Sequence, residues 1–313
     1  MRENQNDFPK ILGTSKEVFE ENIQMLKKNY TMINTNDIIK LMHDDQNVNY
    51  SKTGMLITFD DGLSDHYEAA KILTENNINA IFFVPTCIID EKLPGNPTII
   101  HYCLAKYGIT KFIEEYRISL KKFDIVDNQF QISFKKGEDD QWNIIRKIKT
   151  IFKYTLHHDI ARKILIDIYK NTLLKDYPDA FELMHLTEQK IKKMIQMGHS
   201  IGVHTHTHIS VGPSKLSKSE QYIELLKPKI ILEEKFKTPV YSFSYPFGEH
   251  VDCLTHDELP EYLKKYKLIF TVDEILNTEH TSPYELGRYQ PSSTDTTITL
   301  KEKLDQIEER CQL

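Results

Sequence analysis

Residues 55–62 of the chain read Met55-Leu56-Ile57-Thr58-Phe59-Asp60-Asp61-Gly62. Their apolar and β-branched side chains predict a buried strand, which ends in two carboxylates and a glycine just before a helical pattern over residues 64–76. In a parallel α/β protein, such a strand-to-helix turn lies at the carboxyl edge of the sheet, where active sites are assembled. The stretch therefore predicts an α/β fold with Asp60 and Asp61 in a candidate site.

The two adjacent carboxylates can have different tasks, because neighbouring side chains point in different directions. One of them can bind a metal ion while the other faces a reacting water molecule. Two like charges this close raise the pKa of one group unless a cation lies nearby, so the pair indicates a positively charged partner. The alternative is that Asp61-Gly62 is only turn chemistry with no functional role.

The patterns on either side of this stretch predict a βαβ unit. A helix over residues 15–28 and a short strand at 30–33 precede it, and the helix over 64–76 is followed by an apolar strand at 78–84. Such units close with a right-handed connection, which places the end of the second strand beside the two carboxylates.

The pattern changes between about residues 90 and 186, where long, charged helical segments are predicted at 102–122 and 142–174. We interpret this part as a helical insertion in a single domain that spans residues 1–313. It is either a cap that shapes substrate choice or a structural appendage. The α/β pattern then resumes at residue 187, with strands predicted at 199–204, 240–245 and 268–272 and a closing helix at 300–310.

The composition of the chain limits which partners and which cellular compartment we expect for the protein. The net charge of -6 gives no reason to expect nucleic acid or an anionic membrane surface as the main partner. No stretch is long and apolar enough for a transmembrane segment, and residues 1–7 are too polar for a signal peptide, so we expect a cytoplasmic protein. The 4 cysteines form no CxxC pair, which argues against a disulfide framework and against a thiolate metal site.

A second informative stretch, His204-Thr205-His206-Thr207-His208, follows the strand predicted at residues 199–204. Residues two apart on a strand share a face, so the three imidazoles would point the same way unless the chain bends after Thr205. Imidazoles are common ligands of zinc-like metals. The alternative is a polar strand end without a metal, but the aspartate pair at another strand end favours a metal site.

Together, Thr58-Phe59-Asp60-Asp61-Gly62 and His204-Thr205-His206-Thr207-His208 resemble the first two motifs of the polysaccharide deacetylase family. This family is the NodB-homology group, also called carbohydrate esterase family four. Tyr245-Pro246-Phe247-Gly248 resembles its third motif. The resemblance covers roughly residues 14–90 and 187–290, which leaves the helical insertion outside it. It implies a distorted (β/α)7 barrel of the NodB-homology type.

The resemblance also implies roles for individual residues. Asp61, His204 and His208 match the metal ligands of the family, and Asp60 matches its catalytic base. The backbone amide of Phe247 matches the group that donates to the oxyanion. The implied cofactor is a divalent metal ion, for which we expect zinc. Three protein ligands would leave open positions on such an ion for substrate and water.

The chain departs from the family pattern at two positions. Many relatives have an arginine where this chain has Ser244, and a late histidine acts as general acid where this chain has Leu286-Gly287-Arg288. We expect Arg288 to reach Asp60 and keep it ionised, since a guanidinium can bind a carboxylate through two hydrogen bonds. The general acid is unassigned, and the candidates are four histidines: His101, His250, His256 and His280.

The sequence therefore predicts a metal-dependent hydrolase that removes an N-acetyl or similar small acyl group from an amino sugar in a polysaccharide or glycan precursor. The alternative is a catalytically weakened carbohydrate-binding relative of the same fold. A glycosidase that uses the two aspartates is disfavoured, because adjacent residues rarely reach the carboxyl separation of about 5 Å or more that such chemistry needs. That mechanism also leaves the histidines without a role.

Overall fold

The computed structural model describes residues 8, 11, 13–43, 52–125, 132, 140–255, 257 and 259–310. Within these residues, the pairings between neighbouring strands are all parallel. A two-stranded sheet has the order β1-β2, and a five-stranded sheet has the order β3-β4-β5-β6-β7. The strands are β1 (Thr31–Met32), β2 (Gly54–Met55), β3 (Ile57–Phe59), β4 (Ala80–Val84), β5 (Ser200–Val203), β6 (Ser242–Ser244) and β7 (Leu268–Phe270). Parallel strands in sequence order with helical connections form a curled, barrel-like sheet, so the predicted fold class, a distorted α/β barrel, is confirmed.

Helices connect most of the strands. They are α1 (Lys16–Asn29), α2 (Thr35–His43), α3 (His66–Glu75), α4 (Cys87–Asp90), α5 (Asn96–Lys122), α6 (Gln141–Thr150), α7 (His158–Asn171), α8 (Leu173–Asp176), α9 (Ala180–Met184), α10 (Glu188–Gln196), α11 (Val211–Ser214), α12 (Lys218–Gln221), α13 (Lys227–Phe236) and α14 (Thr297–Arg310). Among the described residues, none of these helices has both the length and the apolar character needed to cross a membrane.

The strand predicted at residues 55–59 is divided between the two sheets. Met55, at the end of β2, pairs with Met32, whereas Ile57, at the start of β3, pairs with Ala80. The prediction that this strand is buried is also wrong, because β3 is an edge strand and its three residues are all partly exposed. An apolar run in the sequence does not show that the chain changes sheets or that a strand has a neighbour on one side only.

The barrel core is built on the central strands. All five residues of β4 are buried, and the ring of Phe82 stacks on Phe59 with 4.7 Å between centroids. Leu73 of α3 and Ile191 of α10 are fully covered in the same cluster. Complete burial of an apolar side chain of this size stabilises the fold by roughly 1.5–3 kcal/mol. The site residues follow the carboxyl ends of these strands. A well-packed hydrophobic core therefore supports them.

The helical segment between β4 and β5 has a hydrophobic cluster of its own. Its buried members include Phe112 and Tyr116 of α5, Ile148 of α6 and Ile164 of α7. α5 is kinked at Gly108, which has a φ angle of 77°. These helices therefore bury their apolar faces mainly against one another.

The segment predicted over residues 142–174 is helical, but the structure interrupts it, most clearly after α6. α6 ends at Thr150, a π-helical turn follows at Ile151–Thr155, and α7 begins at His158 after an extended Leu156. The apolar side chains keep an approximately helical spacing across this break, so periodicity alone does not reveal it. The interruption matters for the site, because it directs Lys153 and His157 toward the barrel.

Candidate metal centre and active site

Asp60 and Asp61 follow β3 directly, at a sharp turn of the backbone. Asp61 and Gly62 both have positive φ angles, of 76° and 58°. Glycine is favoured at residue 62 by its φ angle, and a Cβ atom there would also lie 2.8 Å from Cδ1 of Ile88. The turn sends the two carboxylates in different directions, so that Asp61 faces two histidines and Asp60 faces Arg288.

The chain bends immediately after β5, within the histidine stretch. Thr205 and His208 have φ angles of 56° and 64°, and Thr205 Oγ1 accepts a hydrogen bond from the amide of His208 at 3.0 Å. The buried Glu224 carboxylate accepts hydrogen bonds from two further amides of this turn, at 2.9 and 3.0 Å. The three histidines therefore do not share a strand face, since His204 and His208 converge while His206 points elsewhere.

His204, His208 and Asp61 meet at one point. Oδ1 of Asp61 lies 3.3 Å from Nε2 of His204 and 2.8 Å from Nε2 of His208. The two imidazole rings are nearly perpendicular, with 4.7 Å between their centroids. The structure thus brings together the three residues that the sequence predicted as metal ligands, although they come from strand ends more than a hundred residues apart.

These three residues fit a divalent metal ion. Nδ1 of His204 lies 2.8 Å from the carbonyl oxygen of Ser244, to which it can only donate, so Nε2 is the nitrogen directed at Asp61. A hydrogen bond of this kind fixes the tautomer and orientation of metal-bound histidines. Burial would raise the pKa of Asp61, but the charge of His208 and hydrogen bonds from both histidines hold it well below its usual value, so the carboxylate is ionised.

Asp60 is bound by Arg288 through two hydrogen bonds. Nη1 and Nη2 of Arg288 lie 2.9 and 2.8 Å from the two carboxylate oxygens. Nη2 also donates to Ser244 Oγ at 2.7 Å. Burial acts to raise the pKa of Asp60, but the guanidinium outweighs it, and the pKa lies below its usual value. The contact expected from the sequence is therefore present.

Phe247 lies beside the metal-ligand candidates on a turn after β6. Its φ angle is 65°, and that of Gly248 is 73°. Its ring packs edge-to-face on His208 at 4.8 Å between centroids. Among the described residues, its backbone amide donates no hydrogen bond to another backbone group. The amide is thus available as a donor next to the site, and its role in binding an oxyanion stays a prediction.

His206 connects the histidine stretch to the helical segment. Its Nδ1 lies 2.9 Å from Thr86 Oγ1, and its Nε2 lies 3.0 Å from Oε1 of Glu91. The other oxygen of Glu91 accepts a hydrogen bond from Arg162 of α7 at 3.0 Å. The turn that presents His204 is therefore supported by a side chain from the helical segment.

Lys153 makes a second connection between the helical segment and the barrel. Its ammonium group lies 2.9 Å from the carboxylate of Asp252, which is completely buried, and 4.1 Å from the ring centroid of Phe247. Asp252 also accepts a hydrogen bond from Ser210, two residues after His208. The lysine thus stands over the aromatic ring that contacts the metal-ligand candidates.

Comparison with known proteins identifies a family that the chain resembles. The polysaccharide deacetylase family model matches residues 154–271, a range that contains both histidines of the candidate metal centre. Three similar solved structures are the deacetylase PplD of Streptococcus pyogenes in complex with acetate, a putative polysaccharide deacetylase of Bacillus anthracis, and IcaB of Ammonifex degensii. The resemblance to the polysaccharide deacetylase family is confirmed.

The likeness to these structures extends over nearly the whole chain. The Streptococcus protein has a TM-score of 0.55 and 15% identity, with 94% of this chain and 88% of that chain covered. The Bacillus protein has a TM-score of 0.54 and 15% identity, with coverages of 93% and 62%. The Ammonifex protein has a TM-score of 0.53 and 14% identity, with coverages of 94% and 93%. Identities this low show a shared fold. No curated protein matches the chain in sequence.

The general acid expected from polysaccharide deacetylases is not assigned by the structure. Of the four candidate histidines, His256 lies outside the described residues, and His280 is 88% exposed beside Glu279. His101 of α5 interacts electrostatically with Asp61 and His208, but it is an exposed residue of that helix. His250 is exposed on a turn after β6.

Several residues around the site were not identified from the sequence. They are Glu91, Lys153, Arg162, Glu224 and Asp252. Each is a charged residue in a helix or loop whose composition is typical of a solvated surface. Their roles depend on contacts between distant parts of the chain, and no local pattern in the sequence distinguishes them from exposed charges.

Proposed function

We propose that the protein is a metal-dependent hydrolase that removes an N-acetyl or similar small acyl group from an amino sugar in a polysaccharide or glycan precursor. The observation that carries the proposal is the convergence of two imidazole nitrogens on one Asp61 oxygen, at 3.3 and 2.8 Å, beside a second carboxylate that is bound elsewhere. Two imidazoles and one carboxylate are a ligand set used by zinc hydrolases. We therefore propose zinc as the cofactor, held by Asp61, His204 and His208.

The contacts of the other residues at the site support this proposal. A divalent cation in this centre supplies Lewis acidity for the amide carbonyl and lowers the pKa of a water molecule. Asp60 is held ionised by Arg288 and would take the proton of the attacking water as general base. The Phe247 amide would donate to the oxygen on which negative charge develops.

Acetate release from N-acetylated glucosamine oligomers and from nucleotide-linked N-acetyl sugars tests this proposal. The zinc-loaded protein should release acetate, and Asp60→Asn should lower kcat by roughly 100-fold or more while zinc stays bound, since general base catalysis contributes about 10²- to 10⁴-fold. Asp61→Asn should lose the metal ion of this centre together with activity. Asp124→Asn is a matched control, because Asp124 is an exposed aspartate that also has a positive φ angle, of 54°.

The same experiment separates the enzyme from a binding protein. If no substrate releases acetate and the protein nevertheless binds N-acetylated oligomers, the carbohydrate-binding alternative is correct. If zinc binding does not depend on Asp61, His204 or His208, the proposed metal centre is wrong. Loss of activity in the Asp124→Asn control would show that the substitutions act through folding.

A further inference from the structure

A second cluster of metal-binding side chains lies outside the candidate active site, where α7 meets α12. Nε2 of His158 lies 2.9 Å and Nε2 of His157 lies 3.8 Å from the same oxygen, Oε1 of Glu220. The two imidazole rings are 4.3 Å apart between centroids. At the candidate active site, the corresponding N–O distances are 2.8 and 3.3 Å and the rings are 4.7 Å apart. The two clusters therefore share one donor set and a similar spacing.

Local structure holds the ligand atoms of this second cluster in place. His157 is the N-cap of α7 with an extended backbone, φ -55° and ψ 139°, which brings its ring next to that of His158. Glu220 is fixed by a capping box, in which its Oε2 accepts hydrogen bonds from the amide and hydroxyl of Ser217, at 2.7 and 2.5 Å. These bonds hold the pKa of Glu220 at about 2, and they leave Oε1 directed at the imidazoles.

The surroundings of His158 favour a cation at its Nε2 atom. Its Nδ1 lies 3.3 Å from the Asp159 carboxylate and its Nε2 lies 2.9 Å from Glu220, while its side chain is only 9% exposed. A neutral imidazole has one N–H group and can satisfy only one of the two carboxylates, so both are satisfied either by a protonated imidazole or by a cation bound at Nε2. A metal ion on Nε2, with Nδ1–H donating to Asp159, satisfies both, and this is the usual arrangement of metal-bound histidines. The N-terminal end of α7 disfavours a cation, but Asp159 in its first turn offsets that effect.

We propose that His157, His158 and Glu220 bind a second divalent metal ion, of the imidazole-preferring class that includes zinc, copper and nickel. The ion would fasten α7 of the helical segment to α12 of the barrel. Because α7 also carries Arg162, which supports the histidine stretch through Glu91, the second ion would stabilise the helix that buttresses the active site. This site does not depend on the proposed catalytic activity.

The number of zinc ions bound per chain tests this inference directly. Metal-free protein is dialysed against buffered zinc, and bound zinc is measured by mass spectrometry of the metal. Wild type should bind two zinc ions, and His157→Ala should bind one. The His157 side chain is 53% exposed, so this substitution leaves the fold intact. His280→Ala is a matched control, because His280 is also an exposed histidine beside a glutamate, with 3.7 Å between them, and it should still bind two.

A second variant identifies which ion is lost. In Asp61→Asn, one zinc ion should remain, and the double variant Asp61→Asn with His157→Ala should lose it or bind it at least tenfold more weakly. Zinc should also raise the melting temperature of Asp61→Asn but not that of the double variant. The inference is overturned if His157→Ala binds as much zinc as wild type, or if wild type binds one ion that disappears in Asp61→Asn. Failure of the proposed catalysis would leave these results unchanged.

Discussion

Arg288 binds both oxygens of the Asp60 carboxylate, with Nη1 to Oδ1 at 2.9 Å and Nη2 to Oδ2 at 2.8 Å. The same guanidinium donates through Nε to the carbonyl of Thr271 at 2.8 Å, so its plane is fixed by the barrel. A carboxylate held in this way is ionised, and both of its oxygens are bound by the guanidinium. The arginine thereby separates the function of Asp60 from that of Asp61.

Replacement of this arginine should alter the pH dependence of hydrolysis. Asp60 acts as a base only when ionised, so activity is lost as pH falls through its pKa, which Arg288 holds below the usual value. In Arg288→Lys one of the two hydrogen bonds is lost, and the acid limb of kcat/KM should move upward by roughly one pH unit. We also expect kcat/KM at neutral pH to fall by roughly tenfold, the effect of one charge-assisted hydrogen bond. Arg310→Lys, on an exposed position of α14, is the control. An unchanged acid limb would contradict the role of Arg288.

Removal of the Arg162 guanidinium should weaken zinc binding at a distance. Arg162→Met leaves Glu91 without its cationic partner, and Glu91 then holds His206 and the histidine stretch less firmly. Loss of a direct partner of a ligand costs about 10- to 100-fold in metal affinity, and we expect a smaller effect, of about three- to tenfold, for this more distant contact. Competition with a zinc chelator measures it. Arg146→Met, at an exposed position of α6, should have no effect, and equal losses in both variants would count against the connection.

Loss of the Lys153 charge should destabilise the fold through Asp252. In Lys153→Met the completely buried Asp252 carboxylate loses its ammonium partner at 2.9 Å. An unpaired buried charge costs about 3–5 kcal/mol, and urea unfolding should show a decrease near the lower end of that range. The double variant Lys153→Met with Asp252→Asn should recover most of this free energy of unfolding, because both charges are then absent. A double variant as unstable as the single one would mean that Lys153 acts through packing alone.

The contribution of Glu91 to the stability of the fold should be lost in acid. A hydrogen bond with His206 lowers its pKa, burial opposes this, and Arg162 lowers it further, so that the pKa is about 2 in the folded protein instead of 4.5. The unfolded chain therefore takes up the proton first, and the contribution of Glu91 is present above pH 4.5 and is lost as pH falls toward 2. In Glu91→Gln, the melting temperature should lie below that of wild type above pH 4.5, and the two should approach each other below it. Glu309→Gln, at an exposed position of α14, controls for the loss of one charge.

The sequence predicted the parts of the site that depend on local patterns. The turn of Asp60, Asp61 and Gly62 follows a strand, and His204 and His208 follow another, so that strand order alone brings them to one edge. The contact of Arg288 with Asp60 was anticipated from the chemistry of two missing family residues. These features are short in sequence and tied to strand ends, which is why they could be predicted.

The rest depends on how distant segments pack. Two features do not alter the spacing of apolar residues in the sequence. They are the change of sheet between Met55 and Ile57 and the π-helical turn before Leu156. In the sequence, Lys153 and Arg162 look like exposed charged residues of a helix. Their contacts form only because the helical segment packs against the barrel. Their partners are 99 and 71 positions away in the chain, a separation at which spacing rules give no information.

The candidate site is also where the backbone departs most from ordinary conformations. Of the nine non-glycine residues with positive φ in the described part of the chain, four lie at the site: Asp61, Thr205, His208 and Phe247. Such residues cost of order 1 kcal/mol or more each. An engineer who wishes to thermostabilise the protein should leave them alone and replace Lys215 and Lys237, which end helices in the same conformation, with glycine. Glycine at these two helix ends should stabilise the fold without changing the candidate site.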